Sequence, residues 1–196
     1  SKIIILPVFI AESTHTVAGQ EMVASINPEA VGVQICYTGA LWDSQPLQTS
    51  FVERADEMVG DMDKSQVGIL LVGHGQPTEW ENIYPEQNKQ ESLYRDAIRE
   101  KLITDGYLPD HVVLGWMEFQ QPNITKSITE LSGRGVEKIL VLAVSLSADS
   151  IHSDVEVPAA VVKANLSSDI QVEYMGQYGD HPLAIQAMKE KIAKCR

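Results

Sequence analysis

Three side chains able to ligate a metal each stand just beyond a short apolar run. His74 lies in Gly73-His74-Gly75 after 67–72, Glu118 follows 112–117, and His152 sits in the loop 147–154 that follows 137–145. Two neutral imidazoles and a carboxylate offer two nitrogens and an anionic oxygen, which suits a borderline divalent ion such as Co2+, Fe2+, Ni2+ or Zn2+ better than Ca2+ or Mg2+. Three protein ligands leave coordination positions open, as in a site that handles a metal; a purely structural site usually closes its shell with four. The glycines beside His74 lack Cβ atoms and are expected to let a large flat ligand approach the backbone. Directly after His74, the stretch 76–87 carries Trp80, Ile83 and Tyr84, placed either to cover such a ligand or to fold over the edge of the core.

The remaining histidines have simpler roles. His111 precedes its apolar run and belongs at the opposite edge of the sheet, on the surface. His181 stands between Asp180 and Pro182, where capping of a helix explains it. His15 is placed to line a cleft without ligating. No G-x-S-x-G elbow, P-loop or G-x-G-x-x-G occurs, which removes the usual hydrolase, nucleotidase and dinucleotide readings.

Positioning these residues requires an alternation of strands and helices. Apolar runs near 2–9, 31–37, 67–73, 111–117, 137–145 and 170–175 are strand-sized, and the segments between them carry helix signals. Pro46-Leu47 opens one helix, Pro85 sits in a first turn, Asn123 caps another, and Asp180-His181-Pro182 starts the last. The pattern predicts an α/β fold, a parallel sheet flanked by helices, whose ligands bind outside the carboxyl ends of the strands. In the helix at 84–104, Leu93, Ala97, Ile98 and Leu102 are expected to face the sheet and Glu91, Arg95, Asp96 and Arg99 to lie largely elsewhere, giving it a structural task.

The chain also repeats itself. Lys2-Ile3-Ile4-Ile5-Leu6-Pro7-Val8 resembles Lys138-Ile139-Leu140-Val141-Leu142-Ala143-Val144, and His15 with His152, Tyr37-Thr38-Gly39 with Tyr174-Met175-Gly176, and Gln45-Pro46-Leu47 with His181-Pro182-Leu183 keep an offset of 136 to 137 positions. Residues 1–65 thus read as the second half of a lobe whose complete copy is 66–196, the first half of the first lobe being absent. A half-lobe leaves a sheet edge unpaired, so a homodimer, or dependence on the missing N-terminal segment, is expected.

Composition bounds the partners. Of 196 residues, 27 are Asp or Glu and 15 Lys or Arg, a net charge of −12 that repels a phosphate backbone and excludes nucleic acid. The longest apolar runs fall far short of the roughly 18–20 residues that span a bilayer, so no membrane span is expected. The two cysteines, Cys36 and Cys195, form neither a disulfide framework nor a CxxC motif, which fits a reducing compartment and a cytoplasmic location.

On the motifs Leu70-Leu71-Val72-Gly73-His74-Gly75, Trp116-Met117-Glu118-Phe119-Gln120-Gln121-Pro122 and Ser145-Leu146-Ser147-Ala148-Asp149-Ser150-Ile151-His152-Ser153-Asp154, the chain resembles the class II chelatases. That superfamily comprises ferrochelatase and the sirohydrochlorin cobalt, nickel and iron chelatases. The resemblance implies two pseudo-symmetric α/β lobes around a tetrapyrrole cleft, and a lyase that inserts Co2+ or Fe2+ into a tetrapyrrole such as sirohydrochlorin or protoporphyrin in cobalamin, siroheme or heme biosynthesis. It further implies His74, Glu118 and His152 as metal-holding catalytic residues, His74 also accepting protons, with no cofactor beyond the metal substrate. A non-catalytic metal or tetrapyrrole carrier is the alternative. Two departures bear on the ring: Ser150-Ile151 replaces the glycine common before the third-motif histidine in the sirohydrochlorin type. Asp154 and Glu156 stand where ferrochelatases carry a functional Glu just after it.

Overall fold

The computed structural model describes residues 1–195 and contains all six expected strands: β1 (Lys2–Ile5), β2 (Gln34–Tyr37), β3 (Val67–Gly73), β4 (Val112–Trp116), β5 (Lys138–Leu142) and β6 (Gln171–Tyr174). Six α-helices accompany them: α1 (Thr14–Ser25), α2 (Gln45–Val59), α3 (Glu86–Thr104), α4 (Ile124–Ser132), α5 (Val157–Lys163) and α6 (Pro182–Ala193). The capping residues act as their chemistry predicts. The Asn123 side chain accepts the Lys126 N–H to open α4, and His181 Nδ1 accepts the Leu183 N–H to open α6.

Four parallel strands form one sheet in the order β4-β3-β5-β6, and β1 and β2 form a separate parallel pair. Strand β3 is buried along its whole length, which explains an apolar run without alternation. Its side chains still divide by the period of two. Ile69 and Leu71, with Leu140 and Leu142 of β5, enter a core shared with α2, α3 and α6, while Leu70, Val72, Ile139 and Val141 enter a second core against α4. The chain leaves β3 toward β4 on one side and returns through β5 on the other. The strand order therefore reverses at β3, and in an open α/β sheet such a switch point opens a crevice beyond the strand ends.

The repeat read from the sequence has a structural counterpart, since β1, α1, β2 and α2 follow one another as β5, α5, β6 and α6 do. Helices α2 and α6, equivalent in the repeat, pack against each other. Arg54 on α2 donates to the carbonyls of Met175 and Gln177 beyond β6, and the backbone N–H of Glu12 donates to Gln90 on α3. The N-terminal unit is thus fastened to the four-stranded sheet.

Two expectations are corrected. Helix α3 buries Gln87, Gln90, Glu91, Tyr94, Arg95, Ile98 and Leu102, while Leu93 is 45% exposed. Its buried stripe is rotated by one residue toward the polar side chains, because the ends of β3 and β4 offer backbone groups that those side chains satisfy. The cysteines, expected to offer no disulfide framework, are joined: Cys36 on β2 and Cys195 beyond α6 form a disulfide with Cα atoms 5.9 Å apart. The packing of the two repeat units brings together positions distant in sequence, which spacing alone does not reveal. No helix among the described residues is long and apolar enough to cross a membrane.

Candidate metal centre

His74, Glu118 and His152 converge at the carboxyl ends of β3, β4 and β5, each offering one ligand atom, and these atoms lie within 4.8 Å of one another. All three residues are half-buried. The imidazoles of His74 and His152 meet edge to face with ring centres 5.0 Å apart. Such spacing leaves room for one ion in contact with all three, given metal–ligand bonds of about 2.0–2.2 Å.

Each ring has one nitrogen occupied by the protein. His74 Nδ1 lies 2.8 Å from the Gly75 carbonyl, which can only accept, so the proton resides on Nδ1 and Nε2 keeps its lone pair. His152 Nδ1 contacts the Glu156 carboxylate one turn on, with the same consequence. Partners of this kind fix the tautomer and aim of a metal-binding histidine. His152 opens a π-helical turn, His152–Glu156, that leads into α5; such turns recur at functional sites because they re-aim side chains.

Glu118 is placed by two backbone bonds between the strand ends, from Met117 N–H to the Gly73 carbonyl at 2.8 Å and from Glu118 N–H to the His74 carbonyl at 3.1 Å. The glycines flanking His74 also serve this packing. A Cβ on Gly73 would come within 2.8 Å of Glu91 Oε2, and one on Gly75, where φ is +87°, within 2.4 Å of the Glu118 carbonyl oxygen. The next residue, Phe119, adopts a positive φ of 61°. This conformation is costly for an aromatic residue and characteristic of functional loops.

A cleft of about 310 Å³ opens beside the three candidate ligands, with His74 and His152 in its lining. Phe9, Ser13, Thr14 and His15 of the N-terminal unit line one wall, and Trp80, Phe119, Ser147 and Ser150 line the others. His15 is exposed and stacks on Phe9, a lining residue apart from the triad. Trp80 lines the cleft and meets Tyr84 edge-on, while Ile83 points to solvent at 64% exposure. His111 is half-buried just before β4, at the far end of the sheet.

Beside the cleft, α3 buries charged residues that the sequence pattern places largely off its packed face. Glu91 is 3% exposed, and its carboxylate accepts the Gly75 N–H at 3.2 Å and the Ser145 hydroxyl at 3.5 Å. Burial pushes its carboxyl above the usual carboxylate range, against the opposing pull of His74 and Arg95. Arg95, 1% exposed, lies over the Trp116 ring with its guanidinium carbon 3.7 Å from the ring centre and donates to the Gly115 carbonyl. Burial lowers its pKa to about 10, with Glu91 acting in the opposite sense.

The sequence profile of the CbiX family matches residues 68–195, the span that carries all three candidate ligands. The chain belongs to the CbiX family. It is 35% identical over 98 residues to a sirohydrochlorin cobaltochelatase of Methanothermobacter thermautotrophicus, a match covering 48% of this chain and 57% of that relative. The shared region thus spans little more than half the length of that relative. Among solved structures, SirB from Bacillus subtilis with Fe3+ superposes with a TM-score of 0.71 at 14% identity, covering 98% of this chain and 71% of that one. The sirohydrochlorin chelatase SirB of Bacillus subtilis subspecies spizizenii, in complex with cobalt, gives 0.64 at 15% identity, covering 98% and 68%. DR2241 of Deinococcus radiodurans, a multi-domain protein with structural similarity to chelatases, gives 0.61 at 17%, covering 98% and 41%. At these identities the likeness establishes a shared fold. In this CbiX-family chain, the sheet end that such a fold leaves open is where the two imidazoles and the carboxylate meet.

Proposed function

We propose that this CbiX-family chain inserts a divalent metal ion, Co2+ or Fe2+, into a tetrapyrrole of the sirohydrochlorin kind, with His74, Glu118 and His152 receiving the metal. The observation that carries this reading is the convergence of the three candidate ligand atoms within 4.8 Å, with His74 and His152 lining an open cleft. Insertion exchanges one divalent ion for two pyrrole protons. The ion must shed water, reach the ring face and leave the protein again. Neutral imidazole suits that exchange, because it binds borderline ions well and titrates near neutrality, so that the same group serves as ligand and as proton acceptor. His74, which lines the cleft, takes the acceptor role, its Nδ1 being engaged by the Gly75 carbonyl.

The cleft wall favours a second reading of the ring. It presents Phe9, Trp80 and Phe119 together with several hydroxyls, and among the described residues neither lysine nor arginine lines it. A macrocycle with few carboxylates, as protoporphyrin is, fits such a wall better than sirohydrochlorin does. Metal insertion into each ring, followed by the change in its visible spectrum, separates the two. The reading predicts turnover with one of them, and loss of at least about a hundredfold of that rate in His74→Ala at an unchanged thermal midpoint. Full activity in His74→Ala would refute it, and stoichiometric binding without turnover would make the protein a carrier.

A further inference from the structure

Helix α3 carries Gln87, Glu91 and Arg95 at successive four-residue intervals, on one face, each less than a tenth exposed, and all directed at the ends of β3 and β4. Gln87 and Glu91 act on the same residue from two sides. Glu91 accepts the Gly75 N–H, and Gln87 Nε2 donates to the Gly75 carbonyl at 3.0 Å. That carbonyl is also the acceptor for His74 Nδ1. Gly73, whose Cβ would collide with Glu91 and Arg95, leaves the space through which the helix reaches the loop.

We propose that Glu91, assisted by Gln87, is a positioning residue for His74: by clamping the Gly75 backbone it holds the carbonyl that keeps the proton on Nδ1 and turns Nε2 toward the metal. This rests on the metal-insertion reading for its purpose, and on geometry alone for the clamp. A buried carboxylate is costly unless its hydrogen bonds repay it, and beside the Ser145 hydroxyl the bond it accepts comes from Gly75, the residue whose carbonyl meets a candidate ligand. Arg95 completes the platform by holding Gly115 and Trp116, the strand end that leads to Glu118. The metal ligand is thus oriented through a backbone clamp by a helix that contributes no ligand itself.

The test compares Glu91→Leu, which removes the acceptor while filling the space, with Glu91→Gln, which keeps an acceptor oxygen. In metal-free 15N-labelled protein, long-range proton–nitrogen correlations report the His74 tautomer, its signals identified by their absence in His74→Ala. The clamp predicts a single Nδ1–H tautomer in the parent protein and a mixture in Glu91→Leu. It also predicts a Co2+ dissociation constant raised about tenfold or more, the usual cost of losing a partner that orients a metal ligand, and recovery of most of both effects in Glu91→Gln. Should Glu91→Leu fail to fold, Gln87→Leu releases the same carbonyl and must shift the tautomer likewise. An unchanged tautomer and Co2+ constant in the folded variants overturn the clamp, as does affinity that merely tracks the thermal midpoint. A parent protein that binds no Co2+ at the triad refutes the metal reading instead, while the tautomer comparison, made without metal, still decides the role of Glu91.

Discussion

At the scale of single residues, the site is built from strand-end side chains whose freedom has been removed by backbone contacts. Gly75 is the tightest of these points, since a Cβ there would lie 2.4 Å from the Glu118 carbonyl oxygen and its φ of +87° is closed to L side chains. Gly75→Ala is therefore expected to cost about 2–4 kcal/mol, from strain at a positive φ together with overpacking. Urea unfolding measures this, and a loss below about 0.5 kcal/mol would show that the loop relaxes without cost. The three candidate ligands were legible in the sequence because polar residues directly after apolar runs stand where an α/β sheet opens. Glu91, Gln87 and the strained Phe119 were not. A charged or amide side chain within a helical pattern reads as solvent-facing, and a positive φ leaves no mark on a Phe. The signal available is the glycine on each side of His74, which marks space that the protein itself uses, Glu91 and Arg95 at Gly73 and the Glu118 carbonyl at Gly75.

At the scale of elements, the strands were legible because burial on both faces leaves continuous apolar runs, and four helix starts were marked by Pro, Asn or His. The orientation of α3 was not, since apolar periodicity marks a helix's buried face only where the packing is apolar, and the strand ends select polar side chains. Ion pairing joins the elements elsewhere. Asp56 on α2 accepts from the Tyr107 hydroxyl at 2.8 Å, beyond α3, and pairs with Lys64 at 2.7 Å. Burial pushes the Asp56 carboxyl up, but the hydrogen bonds from Lys64 and Tyr107 outweigh it and hold the group below its ordinary value of 3.8. A carboxyl lowered in the fold lends stability that is complete above its ordinary pKa and is lost as pH falls through the folded one. The parent protein should accordingly lose thermal stability in acid more steeply than Asp56→Asn, whose midpoint begins lower near neutrality and converges with the parent below that range. Parallel acid profiles for the two proteins would contradict this account of the pair.

At the scale of the whole molecule, the two repeated βαβα units, β1 to α2 and β5 to α6, face each other through α2 and α6, and the cleft lies where the loop after β1 meets the ends of β3, β4 and β5. We propose, from the repeat, that 1–65 corresponds to the latter half of one lobe and 66–196 to a complete second lobe, and that the site belongs chiefly to the second. The repeat was legible because its matched positions are strand residues, turn glycines and helix starts, which the shared geometry requires of both copies. The Cys36–Cys195 link was not, because it depends on how the copies pack. The most direct test of the central claim is a Co2+ titration of the purified protein, followed through the visible ligand-field bands, beside Glu118→Ala and His152→Ala. A single site per chain, weakened about tenfold or more by each substitution, is the predicted result. A site indifferent to both substitutions, or no site, would contradict the assignment of His74, Glu118 and His152 as the metal centre.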